Sequence, residues 1–335
     1  MISPGSEADP ETTATSEFNI RHAEVPQPVP GKGEALIKVR MAGICRTDQE
    51  LAKGYMSFEG IPGHEFTGVV VDLHKSIAVD YKHLNGKRVV GEINCGCGDC
   101  QWCNEGLDGH CPDRTVLGIK GKDGAFAQYL TLPAKNLHTV PDEMDDRTAV
   151  FAEPLAAALE IFQQVQIKPS HRILVIGDGK LGILIAKVLQ LAGCDVTCLG
   201  KCKNKLDLLG GWGVQAVDCD KFQPEFFDMV VEASGNPEGF STALNSLKPR
   251  GTLILKSTYH GAMNLDASPL VINEINLIGS RCGPFEPALR LLEKDLIPVK
   301  DLVTEIYSFD LSEQAFAHAA EPETLKILLS FGRKL

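Results

Sequence analysis

The chain has 335 residues, of which 44% are hydrophobic and 23% are charged, so it is expected to be globular with about two domains. A formal net charge of −11 argues against nucleic acid or an anionic membrane as the main partner, because both need a basic protein face. No apolar run approaches the roughly 20 residues of a membrane helix. The first 15 residues are predicted to be a disordered acidic tail without targeting features, which makes the cytoplasm the expected location.

Four closely spaced cysteines are the most specific local pattern in the chain. They follow the spacing C-x2-C-x2-C-x7-C and are Cys97, Cys100, Cys103 and Cys111. Four thiolates close a tetrahedron around one soft divalent ion, so the pattern predicts a structural zinc site with no open position. A disulfide-rich lobe is the alternative, but eleven cysteines scattered through the chain fit metal ligands and free thiols better. Cys95 is interpreted as a spare thiol rather than a substitute ligand.

Two patterns of secondary structure divide the chain. Short strands separated by Gly and Pro indicate a β-rich, barrel-like lobe, with strands predicted at residues 35–40, 66–72, 87–91 and 125–132. Later strands alternate with helices, which predicts a doubly wound parallel sheet. Its strands are expected at residues 172–177, 195–199, 228–233, 251–255 and 276–280, with helical segments over 146–166 and 181–191. The resulting domains are 16–145, 146–280, and a return segment, 281–335, that completes the first lobe.

A glycine-rich motif, G-x-G-x-x-G, follows the first strand of this sheet and opens a helix. Its glycines are Gly177, Gly179 and Gly182, with Lys180 and Leu181 between them. Such glycines let the backbone approach a pyrophosphate, which then rests on the helix N-terminus. The strand and helix around the motif favour a dinucleotide site over a glycine-rich turn without a ligand.

The end of the second strand lacks the acidic residue that usually binds the ribose 2′-hydroxyl. Gly200 stands there, followed by Lys201 and Lys203. Without a carboxylate a 2′-phosphate meets no repulsion, and either lysine can neutralise one. This favours NADP(H), with NAD(H) as the alternative, unless the lysines only line a solvated turn.

Further motifs, in order and separation, resemble those of the zinc-dependent medium-chain dehydrogenase/reductase family, the alcohol and polyol dehydrogenases. The resemblance covers residues 18–335 and includes the cysteine and glycine motifs. Its other elements are Gly43-Ile-Cys-Arg-Thr-Asp48, Gly63-His-Glu65, Glu153-Pro-Leu and Ile278-Gly-Ser-Arg281. It implies a GroES-like barrel domain that carries the zinc sites, a Rossmann cofactor-binding domain, and a homodimer or homotetramer.

The resemblance also implies roles for individual residues. Cys45 and His64 would bind a catalytic zinc, Glu65 would lie in or just outside the coordination shell, and Glu153 would be the third protein ligand. Thr47 would hydrogen-bond the substrate hydroxyl, and Asp48 would orient His64. Two arginines would contact the cofactor: Arg46 and Arg281.

The expected reaction is zinc-assisted hydride transfer between a secondary alcohol or polyol and NADP(H), in a cleft between the lobes. Pocket residues are predicted to include Tyr55, Phe58 and Ile93. Three departures from the family pattern are the absent opening strand, Glu50, which replaces a proton-relay histidine, and Gly200, which replaces the ribose acid. The first two leave a catalytically silent relative as one alternative. A quinone or enone reductase on the same scaffold is another, although such relatives lack the zinc motifs.

Overall fold

The computed structural model describes Met1 and residues 19–223, 225–258 and 266–332. The predicted tail lies outside these residues except for Met1. The chain forms two compact units: the first comprises Met1–Glu153 and Leu289–Leu335, and the second comprises Pro154–Ala288. The division falls eight residues after each predicted boundary, at 153 against 145 and at 288 against 280.

The described residues contain strands and helices in the following order. The strands are β1 (Glu34–Gly43), β2 (Glu65–Leu73), β3 (Arg88–Gly91), β4 (Asn94–Cys95), β5 (Thr115–Leu117), β6 (Gly121–Lys122), β7 (Tyr129–Pro133), β8 (Leu137–Thr139), β9 (Arg172–Ile176), β10 (Asp195–Gly200), β11 (Gln215–Asp218), β12 (Phe227–Glu232), β13 (Leu247–Leu255), β14 (Asn276–Gly279), β15 (Val303–Ser308) and β16 (Lys326–Ser330). The helices are α1 (Arg46–Ala52), α2 (Gln101–Asn104), α3 (Asp146–Ala149), α4 (Ala152–Leu159), α5 (Ile161–Gln164), α6 (Lys180–Leu191), α7 (Lys203–Gly211), α8 (Pro237–Asn245), α9 (Ser268–Ile272), α10 (Phe285–Glu293) and α11 (Ser312–Ala319).

The larger sheet of the first unit is built around β1. Its strand order is β15-β16-β1-β2-β3-β8, and β7 also pairs with β1. At the end of β1, Gly43 lies opposite Glu65 of β2 and Leu328 of β16. The return segment thus adds two strands to the sheet of the first unit. Between residues 19 and 33 the structure has no strand before β1.

The second unit is a parallel sheet in which strands alternate with helices. Its order is β11-β10-β9-β12-β13-β14, and each strand pair is parallel. The apolar runs of β9 and β12 are buried in its core, together with residues such as Phe240 and Leu253. From β9 the chain adds strands towards one edge of the sheet, and from β12 it adds them towards the other edge. Doubly wound sheets bind ligands at such a switch point, which here lies between β9 and β12. The predicted Rossmann-type sheet is confirmed.

The four-cysteine segment lies beside a small sheet with the order β4-β5-β6. Helix α2 begins within this segment and contains Cys103, while Cys111 follows a single 3₁₀ turn. Across the described ranges, every helix falls short of the length and apolarity that a bilayer crossing requires.

Candidate active site and nucleotide-binding loop

The connection from β1 to α1 brings a thiol, a hydroxyl and a carboxylate together. Cys45 is the N-cap of α1, and its backbone N–H donates to Oδ2 of Asp48 at 2.8 Å. This bond satisfies one of the free N–H groups at the start of the helix. Thr47 lies in the first turn, with its Oγ1 atom 3.9 Å from the Cys45 Sγ atom. The local sequence thus fixes both side chains on one helix start.

His64 contacts the other oxygen of the Asp48 carboxylate. Its Nδ1 atom lies 3.1 Å from Oδ1 of Asp48, and both side chains are buried. Because this hydrogen bond assigns the proton to Nδ1, the Nε2 atom is left to bind a metal. Burial lowers the pKa of His64, but the negative charge of Asp48 outweighs this effect and raises the pKa well above its ordinary value. Asp48 therefore contacts the imidazole directly, and its role in orienting His64 for a metal stays a prediction.

Gly63 provides the turn that presents His64. Its φ angle is +100°, and a Cβ atom there would lie 2.8 Å from the backbone nitrogen of Phe126. Only glycine tolerates both the left-handed backbone and this close approach. The Gly63 N–H also donates to Asp48 at 3.2 Å, which ties the turn to α1.

Cys45, His64 and Glu65 form a group whose possible ligand atoms all lie within 4.8 Å of one another. One sulfur, one nitrogen and one carboxylate oxygen at this spacing fit a zinc ion with an open fourth position. Glu153 does not belong to this group. It lies half-buried in the first turn of α4, and its charge contributes to the raised pKa of the neighbouring Lys326.

Lys326, at the start of β16, is a site residue that sequence reasoning missed. Its Nζ atom donates to Oε2 of Glu65, and both side chains are 1% exposed. Burial lowers the lysine pKa, but the charges of Glu65, Cys45 and Glu153 outweigh burial and raise it. A zinc dication and this ammonium would balance the charges of Cys45, Glu65 and Glu153, and the buried Asp48 carboxylate is stabilised by its hydrogen bonds to His64 and two backbone N–H groups. The sequence signal was a lysine directly before the apolar run Ile-Leu-Leu, where no unpaired charge is expected.

Arg46 and Glu50, two positions singled out in the sequence, form a salt bridge with each other. The Nε atom of Arg46 lies 2.8 Å from Oε1 of Glu50 one helical turn later, and the arginine side chain is 72% exposed. Glu50, which replaces the relay histidine, is thus bound to the arginine that was predicted to contact a pyrophosphate. Of the predicted pocket residues, Phe58 and Ile93 are buried and Tyr55 is half-buried.

The four-cysteine group also has the geometry of a metal site. The ligand sulfurs of Cys97, Cys100, Cys103 and Cys111 lie within 4.8 Å of one another. Two of the sulfur–sulfur distances are 3.7 Å, from Cys100 to Cys111, and 4.0 Å, from Cys97 to Cys103. Tetrahedral zinc with Zn–S bonds of about 2.3 Å requires about 3.8 Å between sulfurs, so the group fits the ion. Cys95 is outside the group, and burial raises the pKa of its thiol to about 11.

In the second unit, the glycine motif has the shape of a dinucleotide loop. Gly177 has a φ angle of +119°, and a Cβ atom at Gly182 would overlap its carbonyl oxygen, so α6 packs closely on the loop. A Cβ atom at Gly179 would meet no atom within 4 Å. The loop therefore has open space at the N-terminus of α6, where Lys180 and Leu181 begin the helix.

The carboxylate absent from the end of β10 is supplied by the glycine loop itself. Oδ2 of Asp178 accepts hydrogen bonds from the backbone N–H groups of Lys201 and Cys202, each at 2.8 Å. Sequence reasoning missed this contact because it looked for the acid only on β10. The signal available was an aspartate inside the glycine motif together with a glycine at position 200.

The basic residues predicted near the cofactor lie in different surroundings. Lys201 is exposed, and Lys203 is exposed and paired with Asp207 one turn later on α7. The carbonyl oxygen of Arg281 accepts a hydrogen bond from Lys256 at 2.9 Å. Lys256 also donates to the Ala157 carbonyl, so it joins the end of β13 to α4 within the second unit.

Comparisons with known proteins agree with this architecture. Residues 31–142 match the alcohol dehydrogenase GroES-like domain, and residues 147–331 match the glucose dehydrogenase C-terminus. Sorbitol dehydrogenase of Halalkalibacterium halodurans is 29% identical over 94% of this chain and 96% of its own length. D-arabinitol dehydrogenase 1 of Uromyces fabae is 30% identical over 93% of each chain.

Solved structures give the same result and show both dinucleotides. A protein of Sinorhizobium meliloti 1021 described as a zinc-binding dehydrogenase, bound to NADP, has a TM-score of 0.83 at 26% identity, covering 91% of this chain and 94% of that one. An alcohol dehydrogenase of Escherichia coli CFT073, in complex with NADH, has a TM-score of 0.84 at 25% identity with the same coverage.

The chain therefore belongs to the zinc-dependent medium-chain dehydrogenase/reductase family. It is an oxidoreductase, and the cofactors of its class are zinc and a nicotinamide dinucleotide.

Proposed function

We propose that this enzyme catalyses reversible hydride transfer between a polyol or other secondary alcohol and a nicotinamide dinucleotide, with zinc held by Cys45, His64 and a carboxylate. The observation that carries the proposal is the group of Cys45, His64 and Glu65, whose ligand atoms lie within 4.8 Å of one another. The polyol class is favoured because relatives that match almost the whole chain are named as sorbitol and D-arabinitol dehydrogenases.

Cys45, His64 and a carboxylate would hold the zinc ion, which would supply Lewis acidity that lowers the pKa of an alcohol substrate and so favours hydride transfer to the dinucleotide. Thr47, whose hydroxyl lies beside the Cys45 thiol, receives the substrate's hydroxyl proton and passes its own proton on towards solvent. Asp48 fixes the orientation and tautomer of His64 through its Nδ1 atom. Glu50 is half-buried and paired with Arg46, so an onward proton path through Glu50 requires this ion pair to open.

The carboxylate ligand is either Glu65 or Glu153. Lys326 already binds Oε2 of Glu65, which leaves the other oxygen of that carboxylate for the metal. Glu153 is the family's third-ligand position and lies close enough to raise the pKa of Lys326. Zinc content of Glu65→Gln and Glu153→Gln separates the two, because loss of a direct ligand lowers metal affinity more than loss of a carboxylate outside the coordination shell. The variant that retains zinc identifies the residue outside the resting coordination shell.

The main test is Cys45→Ser, which exchanges the thiolate for a poor zinc ligand. Metal analysis should show two zinc ions per chain in the wild type and one in the variant, with oxidation of a polyol panel lost and dinucleotide binding retained. Cys95→Ser is the matched control, because that thiol is outside both groups, and it should keep both ions and activity. Full activity in Cys45→Ser would refute the proposed site.

A catalytically silent, cofactor-binding protein is the second candidate. Two observations favour it: residues 19–33 contain no strand before β1, and Glu50 is tied to Arg46. One zinc ion per chain and no turnover with any alcohol would support it. A cytoplasmic location and a homodimeric or homotetrameric state stay predictions.

A further inference from the structure

The carboxylate of Asp178 occupies the place that a side chain at position 200 would take. A Cβ atom added to Gly200 would lie 2.5 Å from the Asp178 Cβ and Oδ2 atoms and 2.6 Å from its Cγ atom. Gly200 is buried and is the last residue of β10. An acidic side chain at this strand end and an aspartate at position 178 therefore exclude each other. The chain carries the acid on the loop and glycine on the strand.

The Asp178 carboxylate also accepts hydrogen bonds from the two backbone N–H groups that follow Gly200. Oδ2 of Asp178 accepts from the N–H groups of Lys201 and Cys202, and Cys202 is the N-cap of α7. Free N–H groups at a helix start are a ready site for a phosphate. Here the N-cap N–H of Cys202 and the N–H of the preceding Lys201 both donate to a carboxylate, so a 2′-phosphate could reach these donors only by displacing Asp178 and is otherwise repelled by its charge.

We propose that Asp178 selects the dinucleotide by binding the ribose 2′-hydroxyl and excluding a 2′-phosphate, so that the enzyme prefers NAD(H). This inference rests on the proposed function. The second carboxylate oxygen is not engaged by the two N–H groups, and a carboxylate accepts several hydrogen bonds, so it can accept the 2′ O–H. The sequence-based preference for NADP(H) depended on the absence of a carboxylate here, and Asp178 removes that premise.

The neighbouring lysines do not cancel this charge. Lys203 is paired with Asp207, and its side chain is 85% exposed. Lys201 is exposed, and its backbone, not its ammonium, makes the contact with Asp178. An exposed ammonium is screened by water and salt, whereas Asp178 is half-buried and held by two hydrogen bonds.

The test is the equilibrium dissociation constant of each dinucleotide, measured by titration calorimetry on the full-length, zinc-loaded protein. The wild type should bind NAD+ at least tenfold more tightly than NADP+. Asp178→Ala should weaken NAD+ by about 10- to 100-fold, the usual effect of losing a hydrogen bond to a charged group. It should also strengthen NADP+ by at least about tenfold, because repulsion ends and two N–H groups become free.

Two further variants test whether the effect of Asp178 comes from its charge, from the position of that charge, or only from its contribution to the structure of the loop. Asp178→Asn keeps a hydrogen-bond acceptor but no charge, so NADP+ should bind more tightly than in the wild type while the loop stays intact. The double variant Asp178→Gly with Gly200→Asp removes the Asp178 Cβ that a side chain at position 200 would meet, moves the carboxylate to the strand, and should restore the NAD+ preference. The control is Asp195→Ala, which removes the same charge at the opposite end of β10 and should change neither constant.

The binding results distinguish failure of the proposed function from failure of the role assigned to Asp178. Binding of neither dinucleotide to the wild type would overturn the proposed function and this inference together. Binding of both with equal affinity, or an unchanged ratio in Asp178→Asn, would overturn the role of Asp178 alone. If Asp178→Ala does not fold, the asparagine and double variants still decide the question.

Discussion

At the scale of single residues, the candidate site depends on charges that are buried in pairs. Lys326 and Glu65 contact each other although 261 positions separate them in the chain. Asp48 serves two purposes, because one oxygen caps α1 and the other holds His64. Both carboxylates are nearly inaccessible to water, so each needs its partner to remain charged.

Replacing Lys326 with Met should lower the free energy of unfolding by about 3–5 kcal/mol, because the Glu65 carboxylate is left buried without its ammonium. Denaturant unfolding of the metal-free protein measures this effect. Lys326→Arg, which keeps the charge, should lose less, and Lys326→Met with Glu65→Gln should recover part of the loss. If the single and double variants are equally stable, the pair does not contribute in this way.

Replacing Asp48 with Asn should reduce zinc affinity at the catalytic group by about 10- to 100-fold, since the imidazole loses its carboxylate partner. Competition with a chelator of known affinity measures the change. The four-cysteine ion is the internal reference, and its release should not change in the same sample. Equal retention of both ions would contradict an orienting role for Asp48.

At the scale of elements, the regular segments follow from local patterns, and the sites lie where these segments end. The predicted strands 35–40, 66–72 and 172–177 correspond closely to β1, β2 and β9, because apolar residues with few breaks favour a buried strand. The points at which strands and helices begin and end also depend on contacts with other segments of the chain. One example is the start of α3, where Asp145 accepts from the Thr148 N–H and also pairs with Lys300.

Asp145 predicts a pH-dependent contribution to stability. Burial alone would raise its pKa, but hydrogen bonds from Lys300 and the Thr148 N–H outweigh burial and lower the pKa to about 2. A lowered pKa means that the contribution is complete above the ordinary value near 3.9 and is lost as the pH falls towards 2. Asp145→Ala should cost about 1 kcal/mol at pH 7 through the lost cap.

Asp145→Asn is the matched variant, because asparagine also caps helices and removes only the charge. Its cost at pH 7 should be about 0.5 kcal/mol, since the carboxylate is one-third exposed and water screens the ion pair. Urea unfolding at pH 7 and pH 3 tests the sign. A difference from the wild type that grows at the lower pH would show that the charge of Asp145 does not stabilise the fold.

At the scale of the whole molecule, stability is expected to depend on a metal as well as on packing. The four-cysteine segment packs beside the small sheet β4-β5-β6, and most of its residues are partly or fully exposed. We expect a segment with so little buried apolar surface to gain its order from a bound ion, as structural zinc sites do.

Cys100→Ser should therefore reduce the zinc content by one ion per chain and increase amide hydrogen exchange over residues 94–117. The parallel sheet of the second unit should keep its protection, because its core is buried independently. Cys194→Ser, which changes a buried thiol of the second unit, is the control and should keep both ions. Unchanged exchange around Cys100 would mean that the segment is stable without metal.

The sequence by itself determined the features that depend on short-range spacing. The four cysteines, the glycine motif and the alternation of strands with helices are local patterns, and their physical meaning does not require knowledge of distant residues. The family followed from the order of these motifs, and the comparisons confirmed it.

Only the tertiary structure decided which distant charges meet. The pairing of β16 with β1 brings Lys326 to Glu65, and the packing of the glycine loop against β10 puts the Asp178 carboxylate beside Gly200. Such contacts depend on strand order and register, which single-residue patterns do not specify. The charge balance of the metal site and the carboxylate proposed to select the dinucleotide were therefore not readable from spacing alone.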